Sequence, residues 1–121
     1  PTALETDVGP VIDDAAKAAL DGHVAAMRAA GHRLWQRDLP PACAKGSFVA
    51  PTIIEIASIR DLTAENFGPV LHVARFAGPA LEQVIADINA TGYGLTLGLH
   101  SRIDATRRLV EAAARVGNLY V

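Results

Sequence analysis

The sequence predicts an α/β fold, a mainly parallel sheet with flanking helices, and three observations lead to it. From Val70 onward the segments alternate as strand, helix, strand, helix, strand, the order that builds parallel pairings through right-handed crossovers. Before that, an amphipathic helical pattern precedes a run rich in Val, Ile, Phe and Thr. The chain has 121 residues, half of them hydrophobic and a fifth charged. That is enough for one core and too little for a second domain of ordinary size.

The first helix is expected over Asp13 to Ala30, where Ala16, Leu20, Val24 and Met27 share one face. Asp13 or Asp14 caps its start and Gly31 takes the position after its end. His32 to Trp35 is a short strand and Gln36 to Lys45, with Pro40-Pro41, a loop. Phe48 to Ile56 reads as a strand, with Pro51 demanding an edge position or a bulge near its beginning. Val70 to Phe76 is the next strand. Gly78-Pro79 opens a helix striped by Leu81, Val84, Ile85 and Ile88, and Leu95 to His100 is a strand after the turn residues Thr91 to Gly94. Ser101 is placed as the cap of a last helix with Ile103, Val110 and Ala113 near one face. Gly117 to Val121 closes the chain as a strand expected to be central and buried, so the sequence is read as part of a larger fold.

Composition narrows function. Eleven basic against thirteen acidic residues leave no surplus for neutralising phosphates, so nucleic acid is not expected as a partner. Apolar runs stop well short of the ~18 residues of a membrane span. The N-terminus has neither a signal-peptide pattern nor an initiating Met, which predicts a processed or excised chain. The lone Cys43 fits a reducing, cytoplasmic compartment. A mean hydropathy of +0.23 in so short a chain predicts apolar surface that faces something else.

Few residues carry a chemical signature. Cys43, near Lys45, is the obvious thiol, but it lies in a Pro-rich loop and reads as incidental. The four histidines, His23, His32, His72 and His100, follow no metal-ligand spacing, and His72 and His100 are read as packed or edge residues within strands. No phosphate-cradling glycine loop or nucleophile elbow is present. The informative run is Glu65-Asn66-Phe67-Gly68-Pro69-Val70-Leu71. A carboxylate and a ring two residues apart suit a ribose diol and a flat heterocycle. The same pattern also describes a solvated acid beside a core aromatic, and by itself it favours that plainer reading.

With these residues the sequence strongly resembles the aldehyde dehydrogenase superfamily, whose catalytic domain carries a Glu-x-Phe-Gly-Pro-Val motif. The resemblance also covers Gly9 to Ile12, Gly46 to Thr52, Asn89 to Leu95 and Gly117 to Val121. Within the superfamily, Phe67 to Val73, Ile88 to Thr96 and Val116 to Val121 look most like the glutamate semialdehyde (pyrroline-5-carboxylate) dehydrogenase part of bifunctional proline utilization A proteins. The resemblance implies NAD-dependent oxidation of an aldehyde to an acid through a thiohemiacetal and a thioester on a cysteine. It assigns the nicotinamide ribose hydroxyls to Glu65 and the nicotinamide end to Phe67. Asn66 departs from the aliphatic residue usual between them.

No catalytic residue and no metal ligand is carried over; Cys43 does not match the nucleophile motif. The nucleophile, general base, oxyanion Asn and dinucleotide-binding half are expected upstream of Pro1, and the substrate-anchoring loop after Val121. Residues 1–121 are thus expected to form one partial domain, the C-terminal portion of the catalytic domain truncated at both ends and inactive alone. Its expected partners are the remainder of the parent enzyme and, through uncovered apolar surface, further copies of itself. Two other readings remain: a non-catalytic aldehyde-dehydrogenase-like assembly domain, and an aldehyde dehydrogenase with a different substrate.

Overall fold

The computed structural model describes residues 6–121. These divide into two compact units: the chain up to Ala57 with Leu62–Ala74, and Ser58–Asp61 with Arg75–Val121.

In the first unit, helix α1 spans Asp14–Ala29. Asp13 stands outside it in extended backbone, and its carboxylate accepts from the Ala16 amide at 2.7 Å, occupying one of the donors a helix start leaves free. At the other end Gly31, at φ +87°, donates to the Arg28 carbonyl, and His32 donates to that of Met27. This is a Schellman closure, and its left-handed residue favours glycine. Three strands follow: β1 (Arg33–Gln36), β2 (Thr52–Ile56) and β3 (Val70–Ala74). β2 lies between the other two, antiparallel to β1 and parallel to β3.

Strand alternation decides which residues α1 covers. Leu34, Ile54 and His72 form one row across the sheet. Ile54 is fully buried and clusters with Val24 and Met27 of α1, with Ile56, and with Leu34, Leu62 and Val70 at the margin. The next row, Trp35, Ile53 and Leu71, points the other way and is exposed. Thr52 is the buried polar member; its hydroxyl donates to the Ala50 carbonyl and accepts from the Gln36 amide.

The structure revises several boundaries here. β2 begins after Pro51, because a central strand cannot spare an amide donor; the Pro51 carbonyl instead accepts from Arg37. β1 is shifted one residue later than expected. The Gln36 to Lys45 loop contains a 3-10 turn at Pro41–Lys45, with proline at a first helical position, where no amide is missed.

In the second unit a 3-10 turn at Gly78–Ala80 leads into α2 (Leu81–Ala90), followed by β4 (Thr96–Gly98), α3 (Asp104–Ala113) and β5 (Asn118–Tyr120). β4 and β5 pair in parallel with Leu97 opposite Leu119, so α3 is their crossover. The parallel pairings and flanking helices match the α/β expectation, but the strands form two sheets, because β3 pairs with β2 and not within the later series. Among the described residues β5 pairs with β4 and half-buries Leu119; its expected central place concerns the larger fold. Ser101 does not cap α3 either. It accepts from the Ile103 amide, and Ile103 itself holds the cap position without a side-chain bond. Val110 faces inward with Thr106 and Leu109, while Ile103, outside the helix, and Ala113 are exposed.

Asn89 ties this unit together. Its amide donates to the Ala113 carbonyl at 2.9 Å and its oxygen accepts from the Arg115 amide at 2.8 Å, satisfying both sides of the end of α3. Gly94 meets the same segment, and a Cβ there would lie 2.7 Å from the Arg115 carbonyl oxygen. At the start of the unit, Arg60 and Gln83 hydrogen-bond the Asp87 carboxylate and hold its pKa below the ordinary carboxylate value. Asn89→Ala is expected to lower stability by about 1 kcal/mol, the net worth of hydrogen bonds whose backbone partners water can still reach, read as a lower urea midpoint; Gly94→Ala should act in the same direction.

Candidate functional site

The run from Glu65 to Leu71 leaves the surface at one end and enters the sheet at the other. Asn66 turns its amide onto the Ala64 carbonyl at 3.2 Å, an Asx-type local bond that stabilises the bend. At Gly68 the backbone presses on α1: a Cβ there would lie 2.4 Å from Cδ1 of Leu20, itself buried. Pro69 has no amide to offer, yet its carbonyl accepts from Thr52 at 3.0 Å and so joins the β2–β3 ladder early. Gly68 and Pro69 therefore fix where the loop ends.

Glu65 and Phe67 lie on the exposed part of this loop, and Phe67 is 87% exposed. Phe67 is not a core aromatic, so the plainer reading of the pair fails on the ring. A carboxylate and an open aromatic face on one short loop are chemically suited to a diol beside a planar heterocycle. On the exposed face of the sheet a groove of about 480 Å³ reaches Gly68 and Pro69, lined also by Trp35, Arg37, Ile53 and Leu71. A second depression, about 360 Å³, lies beyond the ends of β4 and β5 at His100, Ser101 and Arg102.

Cys43 is half-buried in the 3-10 turn, its backbone bonded to Pro40 and Gly46. His100 lies beyond β4 and is exposed, not within a strand as expected. His72 is in β3 as expected, and the structure brings it to His23: their Nε2 atoms are 2.8 Å apart, with rings at 69°. Sequence reading missed this pair across 49 positions. Its signals were there, since His23 follows Leu20 by three on the buried stripe of α1 and His72 alternates with Val70 on the inward face of β3. Burial lowers the pKa of His23; burial first, then the charges of His23 and His32, lowers that of His72. Among the described residues no group of three His, Cys, Asp or Glu side chains is placed to hold a metal.

The model of the aldehyde dehydrogenase family matches residues 1–121. The chain belongs to the aldehyde dehydrogenase family. It is 48% identical over its whole length to the bifunctional protein PutA of Salmonella typhimurium and 46% identical to that of Rhizobium meliloti, and spans about 10% of each. A crystal structure of a Bradyrhizobium japonicum proline utilization A (PutA) mutant superposes with a TM-score of 0.87 at 48% identity, over 96% of this chain and 12% of that one. Betaine aldehyde dehydrogenase from Staphylococcus aureus, at 24% identity and a TM-score of 0.84, shares the fold. The family membership confirms the resemblance read from the sequence, and the likeness to PutA proteins agrees with it.

Because the Phe67 ring is so exposed, Phe67→Ala is expected to change unfolding free energy by no more than about 0.5 kcal/mol, measured by urea denaturation. A larger loss would mean that the ring is a packing residue.

Proposed function

We propose that this chain is part of an NAD-dependent L-glutamate γ-semialdehyde (1-pyrroline-5-carboxylate) dehydrogenase of proline catabolism, acting in the cytoplasm, and that Glu65 and Phe67 grip its cofactor. The observation that carries the reading is the intact Glu-x-Phe-Gly-Pro-Val run on an exposed loop, within a chain 48% identical to a PutA protein end to end. NAD supplies the hydride acceptor when bound. The Glu65 carboxylate would accept from two vicinal hydroxyls, which a carboxylate can do and a neutral amide does less well. Phe67 offers its ring to the flat nicotinamide end and keeps water from it.

The reactive thiolate, the oxyanion donors and the base that activates water belong, in this reading, to other parts of the parent polypeptide, of whose relatives the chain spans about a tenth. Those parts are its first partner. The exposed row Trp35, Ile53 and Leu71 is apolar surface of the kind they would cover, and in their absence it favours self-association. No helix among the described residues is long and apolar enough to cross a membrane.

In the full-length protein, Glu65→Gln is expected to raise the KM for NAD by roughly 10- to 100-fold, the worth of a charge-assisted hydrogen bond, with little change in fold stability. An unchanged KM would remove Glu65 from the cofactor site. A full-length protein that oxidises no aldehyde would instead favour the assembly-domain reading, and one without preference for glutamate semialdehyde in an aldehyde panel a different substrate. The 121-residue chain alone is expected to show no turnover; activity lost on Cys43→Ala would overturn this. Light scattering should find it associated, and a monomer across a wide concentration range would count against an uncovered face.

A further inference from the structure

We propose that His23 and His72 form a proton-sensitive latch between α1 and β3, closed while the pair carries no more than one added proton and opened by the second. The two Nε2 atoms are 2.8 Å apart and the ring centres 5.0 Å apart, so the nitrogens face each other nearly along the line of centres. That is hydrogen-bond geometry, with one nitrogen donating and the other accepting. A neutral pair satisfies it by choice of tautomer, and a singly protonated pair satisfies it with a stronger, charge-assisted bond. A doubly protonated pair cannot: both nitrogens become donors, and two like charges meet in a partly desolvated contact.

Among the described residues no carboxylate is hydrogen-bonded to either ring. His32, whose Nδ1 contacts the Glu55 carbonyl at 3.2 Å, acts on His72 as a like charge. On α1, Lys17 is paired with Asp21 and Arg28 is bonded to Gln36. Arg33 and Glu55 form an ion pair, and their row of the sheet points away from α1. The latch matters because of what it spans. His23 lies three residues after Leu20, against which Gly68 packs, so one face of α1 holds both ends of the 68–72 segment onto which the Glu65–Phe67 loop opens.

The sign follows from linkage. Both histidines titrate below their ordinary value near 6.5 in the folded chain, so the open form binds more protons. The latch is therefore fully closed above about pH 6.5 and is lost only as pH falls far enough for the pair to take its second proton. The test is side-chain NMR titration of the histidines together with amide hydrogen exchange of residues 70–74, corrected for intrinsic rates, in wild type and in the His23→Gln/His72→Gln double variant. In wild type, exchange protection should fall as the second ring protonates, by up to about tenfold per pH unit for one linked proton. The double variant should keep the same protection at both ends of the pH range. The proposal is overturned if wild type stays protected after both rings are charged, or if the variant loses protection in parallel with it. Should the variant fail to fold, coincidence of ring protonation and opening in wild type decides alone. None of these readouts depends on cofactor binding.

Discussion

The fit of α1 against the central strand β2 is the contact on which the first unit depends. Ile54 lies at its middle, fully buried between Val24 and Met27 of the helix and flanked in its row by Leu34 and His72. Removing side-chain volume from such a position costs about 2–5 kcal/mol, a large share of what holds a small unit folded. The exit of the Glu65–Phe67 loop is held from the same helix. Leu20 reaches Gly68 and His23 reaches His72 from the same face of the same helix.

The second unit rests on polar contacts as much as on apolar ones. Among the described residues its buried apolar side chains are Ile85 and Val110, too few to fix the path of a βαβ crossover alone. Asn89 supplies direction by filling a donor and an acceptor at the end of α3, and Gly94 admits the Arg115 carbonyl where a side chain would collide. This gives a physical reason for the Asn89 to Leu95 run being among the segments that resemble the wider family. The run brings the end of one helix to the start of β4, and thereby sets β4 and β5 side by side.

Much of this was legible along the chain. The spacing of Leu20, Val24 and Met27 located α1 and its buried face, Asp13 its start and Gly31 its end, because helix periodicity and capping are local properties. The candidate site was legible only through its motif. Glu-x-Phe before Gly-Pro says nothing about exposure, and the ring lies outside the core because Gly68 and Pro69 spend the next two positions on Leu20 and Thr52. The partnership of β3 was not legible: strand, helix, strand order is satisfied equally by one continuous sheet or by two. The start of α3 was missed because Ser101 bonds the Ile103 amide instead of capping the helix, a choice between two local hydrogen bonds that neighbouring packing settles.

By itself, the sequence determined the α/β class, the kind and approximate limits of most elements, the family resemblance, and Glu65 and Phe67 as the residues to examine. These follow from periodicity, from turn chemistry and from a contiguous motif, all read within a few positions of one another. Tertiary structure alone decided that β2 is central, that Phe67 stands in solvent, and that His23 meets His72 across 49 positions. Each of these depends on which surfaces come together at long range, and two side chains far apart in sequence acquire a shared chemistry only when packing brings them within a hydrogen bond of each other.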